Sequence, residues 1–346
     1  MVGVVSGKRH PTYRPLFPYF GGKAPVADIV WSALGDVTNY VEPFFGSGAV
    51  LFLRPGGPGH IETVNDADGL VANFWRAVQQ APDEVAYHAD NPVNECDLHA
   101  RHLWLIGQRE RITERLMGDP EFCDPRAAGW WAWGMSCWIG SGWCSGTGPW
   151  TTEGGEMVLR NPGRGVNRRL PHLGDPGRGV NRQLPHLGDP GQERLGWLQA
   201  EIGRFATRLR NVRVCAGDWS RVCGPSVTYR HGLTGVFLDP PYADTAGRTS
   251  DLYATDSESV AHDTRRWAIE QGENPLMRIV LAGYQDEHAM PDTWTVVEWQ
   301  AVGGYGLIGD DEAGAGRANR HRERLWLSPH CARARQGDLF SFEAVS

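Results

Sequence analysis

Short apolar runs alternate with longer amphipathic segments along most of the chain. The apolar runs predict β-strands at 38–42, 61–65, 212–216, 235–239 and 277–283, with late strands at 296–299 and 324–327. Helical periodicity predicts α-helices at 24–34, 67–80, 97–117 and 200–209. Because strands and helices alternate, we predict an α/β fold of the Rossmann-like, doubly wound type, with a mostly parallel sheet and helices on both faces.

One long segment, 81–195, interrupts this alternation. It contains a 14-residue unit that begins at Pro162 and is repeated at once from Pro176, with Arg169 replaced by Gln183. Glycine and proline are too frequent in this unit for a helix or long strands, so we predict turns or short hairpins on the surface. The predicted organisation is a discontinuous domain, 10–80 with 196–330, and an inserted lobe, 81–195, that carries the tandem repeat at 162–189.

Composition narrows the class of protein. The chain has 346 residues, and 41% of them are hydrophobic, which is enough for a packed interior. No apolar run approaches the 18 residues of a membrane span, and the N-terminus lacks a secretory stretch. The seven cysteines are scattered without Cys-x-x-Cys pairs, so we expect reduced thiols, a cytoplasmic location and no metal site.

The most specific motif is Asp239-Pro240-Pro241-Tyr242, which follows an apolar run. This tetrapeptide is the signature of enzymes that methylate an exocyclic amino nitrogen. Such a nitrogen is a poor nucleophile, and two acceptors, the Asp239 carboxylate and the Pro240 carbonyl, can offset its developing positive charge. Successive prolines stiffen the turn, and Tyr242 offers a flat face for an unstacked base. The simpler alternative is a structural Pro-Pro turn with a surface tyrosine.

A second motif lies upstream, where a predicted strand runs into a glycine turn. Gly46 and Gly48 allow positive φ and close passage of the backbone by a ligand. The next predicted strand ends at Asn65-Asp66. Because ligands of open α/β sheets bind beyond the carboxyl ends of strands, Asp66 is a candidate acceptor for ribose hydroxyls. Its structural alternative is a helix N-cap.

These motifs occur in the order found in Dam-type adenine-N6 DNA methyltransferases. The chain resembles that family in Phe17-Pro18-Tyr19-Phe20-Gly21-Gly22-Lys23, in Glu42-Pro43-Phe44-Phe45-Gly46-Ser47-Gly48, in Asn65-Asp66 and in Asp239-Pro240-Pro241-Tyr242. The resemblance covers about the first 80 residues and the stretch from 196 to 330. It implies a methyltransferase sheet with an inserted target-recognition lobe, and a place in a bacterial or phage-infected cytoplasm.

The resemblance also implies S-adenosylmethionine as the cofactor. The residues that it assigns to the cofactor are Tyr19, Gly22, Lys23, Glu42, Pro43, Phe44, Gly46, Gly48, Asp66, Asp218 and Asp239. Tyr19 stands where the family often has tryptophan. Asp218 is placed near the adenine ring of the cofactor, although a structural aspartate at a strand-to-turn junction explains it equally well.

Charge is unevenly distributed along the chain. The net charge is −7, yet the segment 158–213 holds 11 arginines and 4 acidic residues. A local basic surface on an acidic protein is typical of nucleic-acid binding, so we predict double-stranded DNA as the partner. The predicted DNA-binding side chains are those of the repeats, which suit phosphates and base edges: Arg164, Asn167, Arg168, Arg178, Asn181 and Arg182. The alternative is a duplicated linker whose arginines lie in solvent.

The predicted reaction is transfer of a methyl group to the exocyclic amine of a flipped adenine at a specific DNA sequence. Two alternatives remain open from the sequence. Motifs similar to Asp-Pro-Pro-Tyr also occur in enzymes that methylate adenine in RNA, so the substrate could be RNA. The chain could also be a catalytically idle DNA-binding protein that keeps the fold, although the intact Asp239 and glycine turn argue against this.

Overall fold

The computed structural model describes most of the chain. The described residues are 5–6, 15–19, 22–138, 143–144, 150–153, 156–159, 194–241, 258–285, 287–300 and 323–332. Tyr242 and both 14-residue units, with all six predicted DNA-binding residues, lie outside these ranges.

The described elements are ten strands and eight α-helices. The strands are β1 (Val5–Ser6), β2 (Asn39–Glu42), β3 (Ile61–Asp66), β4 (Trp150–Glu153), β5 (Glu156–Leu159), β6 (Arg213–Ala216), β7 (Thr234–Leu238), β8 (Met277–Tyr284), β9 (Thr295–Gln300) and β10 (Glu323–Leu327). The helices are α1 (Ala27–Leu34), α2 (Ala49–Phe52), α3 (Gly69–Gln80), α4 (Pro82–Ala89), α5 (Glu95–Gly118), α6 (Pro125–Cys137), α7 (Arg194–Leu209) and α8 (Glu258–Gly272). Short 3₁₀ helices cover Ala24–Val26, Trp219–Val222 and Tyr229–His231.

Eight of these strands form one mixed, mostly parallel sheet, in the order β1-β9-β10-β8-β7-β2-β3-β6. β2 pairs in parallel with both β3 and β7, and parallel pairing continues to β6 on one side and to β8 on the other. β10 runs antiparallel to its neighbours β8 and β9. The predicted α/β class is therefore confirmed, with an arrangement compatible with a Rossmann-like fold.

The strand order reverses at β2. The chain first builds outward from β2 through β3 to β6, and then returns to the other side of β2 with β7 and β8. In open α/β sheets, ligands bind in the crevice beyond the carboxyl ends of the two strands that flank such a reversal. The carboxyl ends of β2 and β7 therefore mark the expected binding crevice.

Both faces of the sheet are covered by apolar packing. Tyr40 and Phe237 belong to a cluster built with α1 and α3 to α7, whereas their strand neighbours Val41 and Val236 belong to a second cluster that includes Ala268 of α8. Successive side chains of a strand point to opposite faces. The alternation accordingly places one apolar cluster on each side of the sheet.

The first half of the segment 81–195 packs against the helices beside the sheet. Helices α4, α5 and α6 share their apolar cluster with α3 and α7. Polar contacts reinforce this packing: Arg194 Nε lies 2.6 Å from Asp90 Oδ1, and Gln79 Nε2 donates to Leu209 O at 2.7 Å. The division of the chain into a catalytic domain and an inserted lobe stays a prediction.

Candidate functional site

The glycine turn joins β2 to α2 through two residues with positive φ. Gly46 has φ 46° and Gly48 has φ 69°. A Cβ added at Gly46 would lie 2.6 Å from the ring of Tyr19, and one at Gly48 would lie 2.6 Å from the rings of Phe45 and Phe52. Both conformation and space therefore require glycine at these two positions.

Asp66, at the carboxyl end of β3, holds this turn. Its Oδ2 accepts a hydrogen bond from Gly46 N at 2.9 Å, and its Oδ1 accepts from Asp68 N at 2.9 Å. Trp75 Nε1 donates to Gly46 O at 2.7 Å from the other side. The N-cap of α3 is Asp68, which accepts from Leu70 N at 2.9 Å, so the helix-cap alternative applies to Asp68 and not to Asp66.

Burial, together with the nearby Asp68 carboxylate, raises the pKa of Asp66 to about 7. The backbone donors from Gly46 and Asp68 act in the opposite direction. Because the folded-state pKa lies above its ordinary value, Asp66 contributes most to stability at low pH and loses that contribution as the pH rises through about 7. Near neutral pH, Asp66 is therefore poised between its two protonation states.

Asn65 links the carboxyl ends of three strands. Its Nδ2 donates to Pro43 O at 3.1 Å, just beyond β2, and to Gly217 O at 2.9 Å, just beyond β6. Its Oδ1 is buried and has no hydrogen-bond partner among the described residues. The sequence alone predicts no role for the Asn65 side chain. Its position beside Asp66 at the end of a predicted strand is the one feature that could have indicated this role.

The N-terminal glycine-lysine element meets the Asp-Pro-Pro motif in an ion pair. Lys23 Nζ lies 2.9 Å from Asp239 Oδ2, with side-chain exposures of 5% and 21%. Lys23 immediately precedes the 3₁₀ helix Ala24–Val26, and Asp239 immediately follows β7. Pro240 is buried and Pro241 partly buried. Since a buried ammonium group needs a partner, this pair fixes the position of both groups.

A buried acid lies close to this ion pair. Glu42, the last residue of β2, is 2% exposed, and Tyr40 Oη donates to its Oε2 at 2.9 Å. Burial raises the pKa of Glu42 well above its usual range, and the Asp239 carboxylate adds to that effect. Burial also raises the pKa of Tyr40. Glu42 is thus a buried, hydrogen-bonded residue at the carboxyl end of β2. The sequence did not suggest Tyr40 as its hydrogen-bond partner.

The far side of the crevice is formed where β6 ends. Gly217 N donates to Asp66 O at 3.0 Å, which joins this end to β3. Asp218 is the N-cap of the 3₁₀ helix Trp219–Val222 and accepts from Ser220 N at 2.9 Å. The structural alternative for Asp218 is therefore observed. The ring of Phe44 lies 6.2 Å from the ring of Trp219, at an interplanar angle of 28°.

The predicted cofactor residues come together at this edge of the sheet. An added Cβ at Gly22 would lie 3.6 Å from Tyr19 O and 4.0 Å from Ser47 Oγ, which brings the glycine-lysine element beside the glycine turn. The residues gathered here are Tyr19, Gly22, Lys23, Glu42, Pro43, Phe44, Gly46, Gly48, Asp66, Asp218 and Asp239. Their proximity is expected from the motifs, whereas their role toward a ligand stays a prediction.

Comparison with known proteins adds no assignment: no protein-family model matches the chain, and no curated protein is significantly similar to it. Within the described ranges, no group of three or more His, Cys, Asp or Glu residues could hold a metal ion. No helix among the described residues is long and apolar enough to cross a membrane.

Proposed function

We propose that the chain is an S-adenosylmethionine-dependent adenine-N6 DNA methyltransferase. The observation that carries the proposal is the Lys23–Asp239 ion pair of 2.9 Å beside the glycine turn, at the point where the strand order reverses. Motifs that are far apart in sequence thus meet where open α/β sheets bind ligands. The Asp-Pro-Pro-Tyr signature indicates the class of reaction, which is methylation of an amino nitrogen. The arginine-rich repeats are the reason for proposing DNA as the substrate.

The residues at the crevice fit S-adenosylmethionine. Gly46 and Gly48 have no side chains, so the backbone of the turn can pass close to a ligand. Asp66 presents a carboxylate whose two oxygens can each accept more than one hydrogen bond, so it can take ribose hydroxyls while it holds the turn. Asp218 is assigned to the adenine ring of the cofactor, and Phe44 to the same pocket. The cofactor, when bound, supplies an electrophilic methyl group.

The chemistry assigned to the chain is positioning and electrostatic stabilisation of an amino group. The Asp239 carboxylate accepts one N–H of the target amine and the Pro240 carbonyl accepts the other, which orients the nitrogen lone pair and offsets its developing positive charge. Lys23 holds the carboxylate in place before the substrate arrives, so little reorganisation is needed. Tyr242 is assigned to stacking against the flipped base.

The first prediction concerns the pH dependence of cofactor binding. Because the pKa of Asp66 is raised to about 7 and ribose hydroxyls donate best to an ionised carboxylate, affinity for S-adenosylmethionine should rise about tenfold between pH 6 and pH 8. Asp66→Ala should weaken binding by roughly 1–3 kcal/mol and remove this pH dependence. Isothermal titration calorimetry at several pH values measures both effects.

Asp68→Asn provides the matched control for this prediction. Burial is the larger cause of the raised pKa of Asp66, and the Asp68 charge adds to it. Asparagine also caps helices well but removes that charge, so the binding profile should shift part of the way to lower pH. A wild-type affinity that stays constant from pH 6 to pH 8, or an Asp66→Ala variant that binds as tightly as wild type, would show that Asp66 only supports the turn.

The second prediction concerns target choice by the tandem repeat. Deleting residues 176–189 removes one complete 14-residue unit. If the repeats bind DNA, the deletion should lower DNA affinity and reduce the salt dependence of binding by about one unit of slope for each phosphate group that the shortened chain no longer neutralises. Cofactor binding should be retained. Fluorescence anisotropy with a labelled duplex at several salt concentrations, followed by sequencing of methylated sites, checks this. Unchanged affinity and an unchanged methylation pattern would establish the linker alternative.

One assay separates the proposal from its alternatives. Transfer of a labelled methyl group should occur to duplex DNA and not to RNA of the same sequence. Transfer to RNA alone would assign the chain to RNA methylation. Binding of DNA without transfer to either substrate, and without detectable S-adenosylmethionine binding, would identify a catalytically idle protein.

A further inference from the structure

A cavity of about 220 Å³ opens at the β6 edge of the sheet, next to the far side of the crevice described above. It lies between α3, the C-terminal end of α5 and β6, which is the terminal strand of the sheet. β6 is two strands from β2, which corresponds to about 10 Å at the usual spacing between strands. Three arginines line the cavity, Arg76, Arg213 and Arg221, together with apolar side chains such as Met117.

These three arginines lack the acidic partners that several other arginines of the protein have. Partly buried guanidinium groups pair with acids in four such cases: Arg54 and Arg208 with Glu62, Arg109 with Asp68, and Arg194 with Asp90. Arg76, Arg213 and Arg221 form no ion pair with any described residue, and no carboxylate lines the cavity. Three unpaired cations at one cavity are unusual in a chain whose net charge is −7.

Two of the three guanidinium groups are held in place by backbone oxygens. Arg76 Nη1 donates to Leu116 O at 3.3 Å, and its Nη2 donates to Asp119 O at 3.3 Å and to Pro120 O. Arg221 Nη1 donates to Ala216 O. An arginine has five N–H donors, so these hydrogen bonds leave donors for a ligand while they reduce the entropic cost of binding it.

Arg76 has a structural role, because it donates to carbonyl groups at the C-terminal end of α5. Arg221 is held by its bond to Ala216 O. No comparable contact gives Arg213 a structural role. Arg213, the first residue of β6, is exposed and has no hydrogen-bond or ion-pair partner for its side chain among the described residues. The Asp119 carboxylate is paired with Arg115 at 2.9 Å. Among the described residues, no acidic side chain lines the cavity, so the charge of Arg213 has no acidic partner there.

We propose that this arginine-lined cavity binds a phosphate group. Guanidinium forks match the geometry of phosphate oxygens, and a cluster of three suits a group that carries more than one negative charge. The phosphate could belong to the phosphodiester backbone of a nucleic acid or to a small phosphorylated molecule, because both present the same oxygens. The site binds phosphate whether or not the chain methylates DNA, so it stands apart from the function proposed above.

The test uses the full chain and inorganic phosphate as the probe. Thermal unfolding is followed as phosphate replaces chloride at constant ionic strength, since a ligand that binds the folded state raises the melting temperature. The variant is Arg213→Gln, and the matched control is Arg210→Gln, an exposed arginine close in sequence that does not line the cavity. Phosphate should stabilise wild type and the control, whereas Arg213→Gln should require about tenfold more phosphate for the same shift.

Two further measurements sharpen the outcome. Arg213→Lys keeps the charge without the fork and should respond between wild type and Arg213→Gln, which excludes loss of folding as the cause. A labelled duplex then identifies the source of the phosphate group. If Arg213→Gln binds the duplex more weakly than wild type and the control do, the source is a phosphodiester. If Arg213→Gln binds the duplex as wild type does but has lost the phosphate response that wild type shows, the source is a small phosphorylated ligand. An equal phosphate response in all variants, or none in wild type, would overturn the proposal.

Discussion

Replacing Asp239 with alanine is expected to lower the rate of methyl transfer by a factor on the order of 10²–10³. This is the usual cost of removing one preorganised group that stabilises developing charge. The effect should appear in the chemical step, because the carboxylate is assigned to the amino group of the target. Binding of S-adenosylmethionine should survive at least partly, since the glycine turn and Asp66 remain. Single-turnover kinetics and equilibrium dialysis measure the two effects separately.

The ion pair determines which control variants are informative. Asp239→Ala leaves the buried ammonium group of Lys23 without the carboxylate that lies 2.9 Å away, so part of its effect is structural. Asp239→Asn keeps the volume and one acceptor oxygen and should fold more like wild type. Asp292→Ala, at an exposed position, is the matched control and should leave the rate unchanged. Near wild-type turnover by Asp239→Ala would refute the assignment of this residue.

Gly48→Ala is expected to destabilise the fold by about 2–5 kcal/mol. Alanine in the left-handed conformation at φ 69° costs roughly 1–2 kcal/mol. The added Cβ also meets the rings of Phe45 and Phe52 at 2.6 Å, and such overpacking typically costs about 1–3 kcal/mol. Because the rings support the turn from below, the variant should also bind cofactor less tightly. Urea unfolding and calorimetry check the two consequences.

Gly56→Ala is the control that separates the cost of the backbone conformation from the cost of overpacking. Gly56 has φ 77°, but a Cβ there meets no atom within 4 Å. Its substitution should therefore cost only the conformational part, roughly 1–2 kcal/mol. If Gly48→Ala were no more destabilising than Gly56→Ala, the packing of the two rings against the turn would not be the constraint that the structure indicates.

The central elements can be predicted because their sequences are locally unambiguous. The pattern predicts β3 at 61–65, and the strand extends over Ile61–Asp66; it predicts α5 at 97–117, and the helix extends over Glu95–Gly118. α5 spans 24 residues, so its buried positions recur over several turns, and β3 is a short run whose four central residues are buried. The two-residue strand β1 escapes prediction because it is too short to carry a pattern, and it forms only through parallel pairing with β9.

Other elements escape prediction because their formation depends on the rest of the fold. α8 is rich in charged residues, and its Ala268 becomes buried against the second face of the sheet. The β4–β5 hairpin has only four residues in each strand, within a segment whose composition favours a loop. Short strands gain stability from pairing rather than from their own composition, so local pattern is a poor guide to them.

For the candidate site, the sequence indicates which residues belong together but not how they touch. The motifs suggest that Lys23 and Asp239 each face a cofactor, whereas the structure pairs them with each other. The strand cross-link by Asn65 and the hydrogen bond from Tyr40 to Glu42 are also absent from the sequence prediction. The Lys23–Asp239 pair and the Asn65 cross-link to Gly217 join groups distant in the chain, so they depend on sheet order, which the local pattern does not specify. The bond from Tyr40 to Glu42 joins residues two apart on β2, and it depends on side-chain rotamers that the pattern does not specify either.

The most direct test of the central claim is the sequencing of modified bases in DNA from cells that express the chain. We expect N6-methyladenine at one recurring sequence in cells with the wild-type chain, and its loss in cells with Asp239→Asn at equal protein abundance. Absence of methyladenine with the folded wild-type chain, or its persistence with the Asp239 variant, would contradict the proposed methyltransferase.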